Sequence, residues 1–220
     1  MPRAKLKRFM ENKDLPNVLQ DGDETFNNLK GNWNKLHFKN ELPLTVEMGC
    51  GKGEYTIGLA RVFKDRNFIG VDIKGDRLWT GSRQAIDEKL YHVAFLRTLI
   101  HNIDGFFAPN EVETIWVTFP DPRPKDRDIK RRLTSPRFLE MYKTILKPEG
   151  QVFFKTDSTG LFEYTLEVLK ERTDIIDLEY TFDLYTSEYL KDHFEIRTNF
   201  EQKYLDLGVP IKYLKFRFKS

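Results

Sequence analysis

A glycine-rich turn between a strand and a helix is the feature of this sequence that most constrains its fold. Leu44–Met48 is a short β-rich run, and residues 54–63 have a helical pattern. Between them lie Gly49, Gly51 and Gly53, where the missing side chains let the backbone turn sharply and approach a ligand closely. A strand that passes through such a turn directly into a helix predicts an α/β fold with a ligand at the turn.

Strand-like and helical runs alternate along the rest of the chain. The pattern predicts strands over residues 67–71, 92–96, 112–119 and 151–156, and helices over residues 76–90, 136–146 and 159–172. Such alternation predicts parallel strands with helices on both faces. Two late strands, at 175–185 and around Leu214 to Phe218, have no clear helix between them and predict an antiparallel hairpin at the end of the sheet. We therefore expect an α/β, Rossmann-like sheet that is mostly parallel with an antiparallel last strand.

The basic residues are concentrated in two segments. The whole chain has 36 Lys+Arg and 34 Asp+Glu, a formal net charge of +2. Residues 1–40 lack periodicity and are predicted to be a basic N-terminal arm, followed by one domain over residues 41–220. Residues 123–137 form a second basic run. Basic segments on a nearly neutral chain are compatible with phosphate contacts to a nucleic acid, and also with an ordinary solvated surface.

Several classes of protein are excluded by composition. A single cysteine, Cys50, cannot form an internal disulfide, and the four histidines do not cluster at metal-ligand spacing. No stretch approaches the ~20 apolar residues that a membrane helix needs, and the basic N-terminus has no apolar signal-peptide core. We expect a cytoplasmic protein without a metal.

Acidic residues near the glycine turn indicate the kind of ligand. Glu47 stands two residues before the first glycine, where a carboxylate would repel a pyrophosphate but suits the sulfonium and amino group of S-adenosylmethionine. Glu54 stands where the dinucleotide fingerprint has its last glycine. Asp72 ends the second strand, where an acid binds ribose hydroxyls. The alternatives are that Glu47 is solvent-exposed and that Asp72 only caps the following helix.

A proline-framed aspartate follows the fourth strand. Asp121 lies among Pro120, Pro122 and Pro124, which fix their own φ angles and push the preceding residues towards extended conformations. A basic run follows at once. A carboxylate held stiffly beside the cofactor and next to phosphate-binding residues predicts a reaction centre for a nucleic-acid base. A rigid surface loop is the alternative.

Five blocks of the sequence resemble the signature blocks of the bacterial tRNA (guanine-N7-)-methyltransferase family, which belongs to the class I S-adenosylmethionine-dependent methyltransferases. They occur in the family's order. They are Glu47-Met-Gly-Cys-Gly-Lys-Gly53, Phe119-Pro-Asp-Pro-Arg-Pro-Lys125, Lys130-Arg-Arg132, Lys155-Thr-Asp157 with Leu161-Phe-Glu-Tyr164, and Thr198-Asn-Phe-Glu201.

The resemblance implies a methyl transfer to N7 of guanine 46 in the variable loop of tRNA, by a monomer or homodimer. It implies that Glu47, Asp72 and Asp121 bind S-adenosylmethionine with the glycine turn, and that Asp121 is catalytic. The implied substrate contacts are Lys125, Asp157, Thr198, Asn199, Phe200 and Glu201. Natural phosphate contacts are Lys130, Arg131 and Arg132.

The sequence departs from the family pattern at three positions. Arg123 stands where tryptophan is usual and Asp128 where histidine is common. Leu99 stands where an acid is expected to contact adenine, so backbone groups near it, or Asn102, are expected to replace that contact. The alternative functions are methylation of another RNA base or a small molecule, a NAD-dependent oxidoreductase, and a non-catalytic RNA-binding protein.

Overall fold

The computed structural model describes residues 3–219, and it forms one eight-stranded sheet with helices on both faces. In chain order, the helices and strands are α1 (Arg3–Glu11), β1 (Val18–Leu19), β2 (Leu44–Met48), α2 (Glu54–Val62), β3 (Asn67–Asp72), α3 (Gly75–Asp87), β4 (Val93–Arg97), β5 (Val112–Thr118), α4 (Pro136–Ile145), β6 (Leu146–Thr156), α5 (Thr159–Glu171), β7 (Ile175–Thr181), α6 (Asn199–Asp206) and β8 (Lys212–Phe218). No helix of this part of the chain is long and apolar enough to cross a membrane.

The strand order confirms the predicted fold class. The sheet runs β1-β4-β3-β2-β5-β6-β8-β7, and every pair from β1 to β6 is parallel. Strand β8 is antiparallel to both β6 and β7. The expected hairpin is wrong in one respect, because α6 lies between β7 and β8. Eight residues are too few for a helical period to stand out in the sequence.

Alternate residues of the central strands pack into two hydrophobic cores, one on each face of the sheet. Val46 and Val71 pack on one face of the sheet, in the same cluster as Tyr142 of α4. Phe68 and Trp116 pack on the other face with Tyr55 of α2. Side chains of successive strand residues point to opposite faces, so strands covered by helices on both sides read as nearly continuous apolar runs.

The segment predicted as an N-terminal arm is packed for most of its length. Leu29 and Trp33 are fully buried in the core. Trp33 Nε1 donates a hydrogen bond to the Phe106 carbonyl at 2.8 Å, and its ring stacks on Phe107 at 5.4 Å. Trp33 begins a six-residue π-helix (Trp33–Phe38) and Leu29 lies in the connection before it, and neither segment is long enough for a period to identify its residues as core.

Candidate active site

The carboxyl ends of β2, β3, β5 and β6 meet at one edge of the sheet, and two adjoining clefts lie there. The first has a volume of about 400 Å³, and its lining includes Glu47, the glycine turn, Phe119 and Phe200. The second lies beside Asp72 and Leu99, and its rim is basic. Parallel α/β sheets bind ligands at this edge. Of the sequence-predicted residues, the first cleft is lined by Glu47, Gly49, Gly51, Thr198, Asn199 and Phe200, and the second by Asp72, Lys130 and Arg131.

The glycine turn has a backbone that other residues would adopt only with strain. Gly49, Gly51 and Gly53 have φ angles of 81°, 58° and 74°. A Cβ on Gly53 would lie 2.5 Å from the ring of Phe95, whereas one on Gly51 would meet no atom within 4 Å. The middle of the turn is therefore an open cradle, and its last glycine is required by packing.

Asp72 shapes the turn from the neighbouring strand. Its Oδ2 accepts a hydrogen bond from the backbone N–H of Gly51 at 3.1 Å, and its Oδ1 accepts one from that of Lys74 at 2.8 Å. The carboxylate thereby braces both the cradle and the turn before α3. These two hydrogen bonds are compatible with the predicted contact of Asp72 to ribose hydroxyls.

Glu47 is a buried carboxylate beneath the cradle. It is 3% exposed, which is inconsistent with the alternative of a solvent-exposed residue. One oxygen accepts hydrogen bonds from the backbone N–H and the hydroxyl of Thr56, and the other accepts one from the Thr118 hydroxyl. Burial raises the pKa of Glu47 above its usual range, although these hydrogen bonds oppose the shift. A carboxylate in this environment gains from a nearby cation.

The proline loop, residues 119–125, carries Asp121 on the surface. The side chain is 65% exposed, and its Oδ2 lies 3.2 Å from Arg123 Nε. Its Oδ1 accepts a hydrogen bond from the Arg123 backbone N–H at 3.2 Å. Within the described chain, the hydrogen bonds and ion pair of this carboxylate are therefore made inside its own loop. Such an exposed pair contributes little to stability.

The backbone of the proline loop differs from the extended form predicted before each proline. Phe119 and Arg123 both have a φ of 47°, although each directly precedes a proline. Proline pushes its predecessor towards extended conformations, so a positive φ at these two residues needs support from the surrounding structure. The Phe119 N–H donates to the Lys155 carbonyl at 2.8 Å, and Arg132 donates to the Arg123 carbonyl at 3.2 and 3.3 Å. These bonds hold the left-handed residues in place.

The basic residues differ in how firmly they are held. The guanidinium of Arg132 lies 4.3 Å over the ring of Tyr164 and donates to the Arg123 carbonyl. Arg132 therefore braces the proline loop. Lys125 and Lys130 are exposed. Arg131 is also exposed and pairs with Asp128 at 3.2 Å. A departure from the family pattern, Asp128, thus has a partner in the basic run itself.

The side chains of three of the four residues of the predicted substrate segment have hydrogen-bond partners within the protein. The Thr198 hydroxyl accepts a hydrogen bond from the Glu201 backbone N–H at 3.0 Å and caps α6. The backbone N–H and side-chain amide of Asn199 donate to the two oxygens of Glu54 at 2.7 and 2.8 Å. Glu201 is fully buried. Phe200 is the exception, since 44% of it is exposed at the cleft.

Glu201 belongs to a buried network that sequence reasoning missed. Its carboxylate pairs with Lys155 Nζ at 2.9 Å, accepts a hydrogen bond from the Tyr185 hydroxyl at 3.2 Å and lies 3.1 Å from His193 Nε2. Burial alone would raise the pKa of Glu201, but the bond with His193 and the Lys155 ammonium lower it overall. The available signal is that Lys155 directly follows the apolar run 152–154, because lysine is almost never fully buried without a partner.

Two further predicted contacts differ in position, since Asp157 directly follows β6 and lines neither cleft, whereas Leu99 lines the second. Asp157 is half-buried, and burial raises the pKa of its carboxyl. Its backbone carbonyl accepts a hydrogen bond from Lys212 Nζ at 2.9 Å. Leu99 lines the second cleft, whereas Asn102 is not among the residues that line it. Thr98, Leu99 and Ile100 all line that cleft, so the predicted backbone contact to adenine remains a prediction there.

The parallel sheet, the glycine turn and the carboxylates at its edge define a Rossmann-like methyltransferase. Residues 41–214 match the model of a protein family described as "Putative methyltransferase". A solved structure of "16S rRNA Methyltranferase KamB" is similar in fold, with a TM-score of 0.63 and 12% identity over 86% of this chain and 94% of that one. The solved "Antibiotic Related Methyltransferase" has a TM-score of 0.59 and 20% identity, over 81% and 88% of the two chains.

Sequence relatives define the family more narrowly. The chain is 48% identical to the tRNA (guanine-N(7)-)-methyltransferase of Cytophaga hutchinsonii, with 99% of both chains covered. It is 43% identical to the enzyme of that name from Bacteroides thetaiotaomicron, over 99% of this chain and 86% of that one. The chain belongs to the tRNA (guanine-N(7)-)-methyltransferase family.

Proposed function

We propose that this protein transfers the methyl group of S-adenosylmethionine to N7 of guanine in tRNA, at position 46 of the variable loop, in the cytoplasm. The observation that carries the proposal is that Glu47, Asp72 and Asp121 lie at or just after the carboxyl ends of the neighbouring parallel strands β2, β3 and β5, beside an exposed basic run. The names of the relatives support the same substrate. A NAD-dependent enzyme is disfavoured, because the buried Glu47 carboxylate would repel a pyrophosphate.

The residues present fit S-adenosylmethionine. Glu47 offers a buried negative charge for a cationic ligand, Asp72 stands at the strand end that faces ribose hydroxyls, and Gly51 leaves an open cradle. The backbone near Leu99 lies in the adjoining cleft and is suited to the adenine. When bound, S-adenosylmethionine supplies an electrophilic methyl group.

The reaction places few demands on acid–base chemistry. Guanine N7 carries an in-plane lone pair and no proton, so no general base is needed to create the nucleophile. Methylation leaves the base with a positive charge. The protein therefore has to align the base and stabilise that charge, and the exposed carboxylate of Asp121 is suited to the second task. Asp157, at the end of β6, is suited to accept hydrogen bonds from guanine N1–H and the exocyclic amine.

The same segment suggests how RNA is held. Lys125, Lys130 and Arg131 are exposed around Asp121 and would contact phosphates, which position a nucleic acid without reading its sequence. The Glu201 carboxylate, by contrast, is fully occupied by Lys155 and its neighbours. We propose that Glu201 supports the substrate site from below and does not itself contact guanine.

The proposal is tested by incubating the purified protein with labelled S-adenosylmethionine and unmodified tRNA, followed by nucleoside mass analysis. The expected product is 7-methylguanosine, and it should be absent when guanine 46 is replaced by adenine. Label in another nucleoside would contradict the N7 proposal. Persistent 7-methylguanosine in the adenine-46 tRNA would contradict only the position.

A further inference from the structure

The side chain of Phe200 lies at the cleft and is only partly covered by its neighbours. It lines the same cleft as Glu47 and the glycine turn, and 44% of it is exposed. Exposed apolar side chains are common on protein surfaces and need no explanation singly. Phe200 is distinguished by its position, since its ring lines the cleft of the proposed cofactor residues and lies beside the start of the proline loop.

The backbone of Phe200 is anchored on both sides. Asn199, directly before it, makes two hydrogen bonds to Glu54 at the start of α2. Glu201, directly after it, is tied to Lys155 in β6. The ring is thus carried by a short segment that is fixed to the cofactor turn and to the sheet. A platform fixed before the ligand arrives loses little conformational entropy on binding.

Two other rings fix the orientation of Phe200. The centroid of the Phe119 ring lies 5.3 Å away with an interplanar angle of 53°, and that of Tyr204 lies 4.8 Å away at 40°. Both are tilted contacts within the usual range for aromatic pairs. Phe119 begins the proline loop, so this contact also connects the ring to the segment that carries Asp121.

We propose that Phe200 provides the face on which the target guanine stacks, and that this ring favours the cationic, methylated base over the neutral one. The proposal rests on the proposed function. Bases presented by RNA loops commonly stack on aromatic side chains, which leaves the ring edges free. Stacking would leave N7 accessible in the plane of the base.

The charge preference follows from the electrostatics of an aromatic ring. Its face carries partial negative charge and attracts a cation, whereas a leucine of similar bulk offers no such face. The base becomes cationic only as the methyl group is transferred. The interaction is therefore stronger in the transition state than in the ground state, and such interactions raise the rate of the chemical step.

The test compares Phe200→Leu, which keeps apolar bulk, with Phe200→Tyr, which keeps the aromatic face. Tyr91→Leu is the control, because Tyr91 is 82% exposed and lies before β4 at the opposite edge of the sheet. Single-turnover formation of 7-methylguanosine is measured at saturating S-adenosylmethionine and tRNA. We expect Phe200→Leu to be at least about 10-fold slower, and Phe200→Tyr and Tyr91→Leu to stay within about 3-fold of the parent.

A second readout separates stacking from simple support of α6. The affinity for tRNA that carries 7-methylguanine is divided by the affinity for unmodified tRNA. This ratio should exceed one in the parent and in Phe200→Tyr, and fall towards one in Phe200→Leu. A Phe200→Leu variant with the parental rate and ratio would overturn the proposal, as would equal losses in the leucine and tyrosine variants. A parent protein that forms no 7-methylguanosine would instead contradict the proposed function.

Discussion

The buried floor of the cleft and the proline loop hold their carboxylates in different ways. The floor consists of Glu47, Glu201 and Lys155, whose charges are buried and bonded to side chains from distant parts of the sequence. Asp121 in the proline loop is exposed and bonded only to Arg123 among its described neighbours. Breaking a buried ion pair strongly lowers the free energy of unfolding, whereas an exposed ion pair contributes little to it. The floor should therefore support the fold and the cofactor, and the loop should serve the reaction and the RNA.

The sharpest test of the floor is Lys155→Met. This substitution leaves the buried Glu201 carboxylate without its cation, so the free energy of unfolding in urea should fall by about 3–5 kcal/mol at pH 7. Asp121→Asn is the control and should change it by no more than about 0.5 kcal/mol. A loss of less than about 1 kcal/mol for Lys155→Met would remove the distinction between the two regions.

The floor pair should also respond to pH in a defined direction. The pKa of Glu201 is lowered in the folded protein, so its contribution to stability is present at neutral pH and is lost as the pH falls through that lowered pKa. The destabilisation caused by Lys155→Met should accordingly shrink on acidification. A destabilisation that grows on acidification would contradict the assignment of the ion pair.

Glu47→Gln separates cofactor binding from stability within the floor. Glutamine keeps the shape and can still accept the Thr56 N–H, but it lacks the negative charge. Calorimetric titration should show at least about 10-fold weaker binding of S-adenosylmethionine. Burial raises the pKa of Glu47, so the ionised carboxylate opposes folding as the pH rises. Removing its charge should therefore cost less than about 1 kcal/mol in the free energy of unfolding at pH 7.

The pH dependence of S-adenosylmethionine binding tests whether the charge of Glu47 is responsible for the affinity. In the parent, affinity for S-adenosylmethionine should weaken on acidification at a pH above the ordinary pKa of glutamate, as Glu47 takes up a proton. The same titration of Glu47→Gln should show no step from this group. An identical step in both proteins would assign the effect to another residue.

Smaller effects are expected from the exposed cations of the loop. Lys125→Ala should reduce the slope of log affinity for tRNA against log salt by roughly 0.7–0.9, with unchanged affinity for S-adenosylmethionine. Lys147→Ala, an exposed lysine at the start of β6 and the opposite sheet edge, is the control and should leave the slope unchanged. Arg132→Ala should also slow turnover, because its guanidinium holds the Arg123 carbonyl. An unchanged slope for Lys125→Ala would identify that residue as solvated surface.

The parts of the site that could be predicted are those that depend on a few consecutive residues. These are the glycine turn, Asp72 at a strand end and Asp121 among prolines. The bonds of the floor could not be predicted in this way, because Glu47 and Thr118 are 71 residues apart and Lys155 and Glu201 are 46 apart. Periodicity also missed Trp33, since the six-residue π-helix that it begins is too short to show a repeating apolar pattern.

The rate of methyl transfer by Asp121→Asn tests the central claim most directly, because asparagine keeps the size of the side chain and removes only its charge. Single-turnover formation of 7-methylguanosine is measured at saturating S-adenosylmethionine and tRNA, together with tRNA affinity and the free energy of unfolding. We predict a rate at least ~10²-fold below that of the parent, with the other two quantities unchanged. A rate close to that of the parent would contradict the assignment of the chemistry to the proline loop.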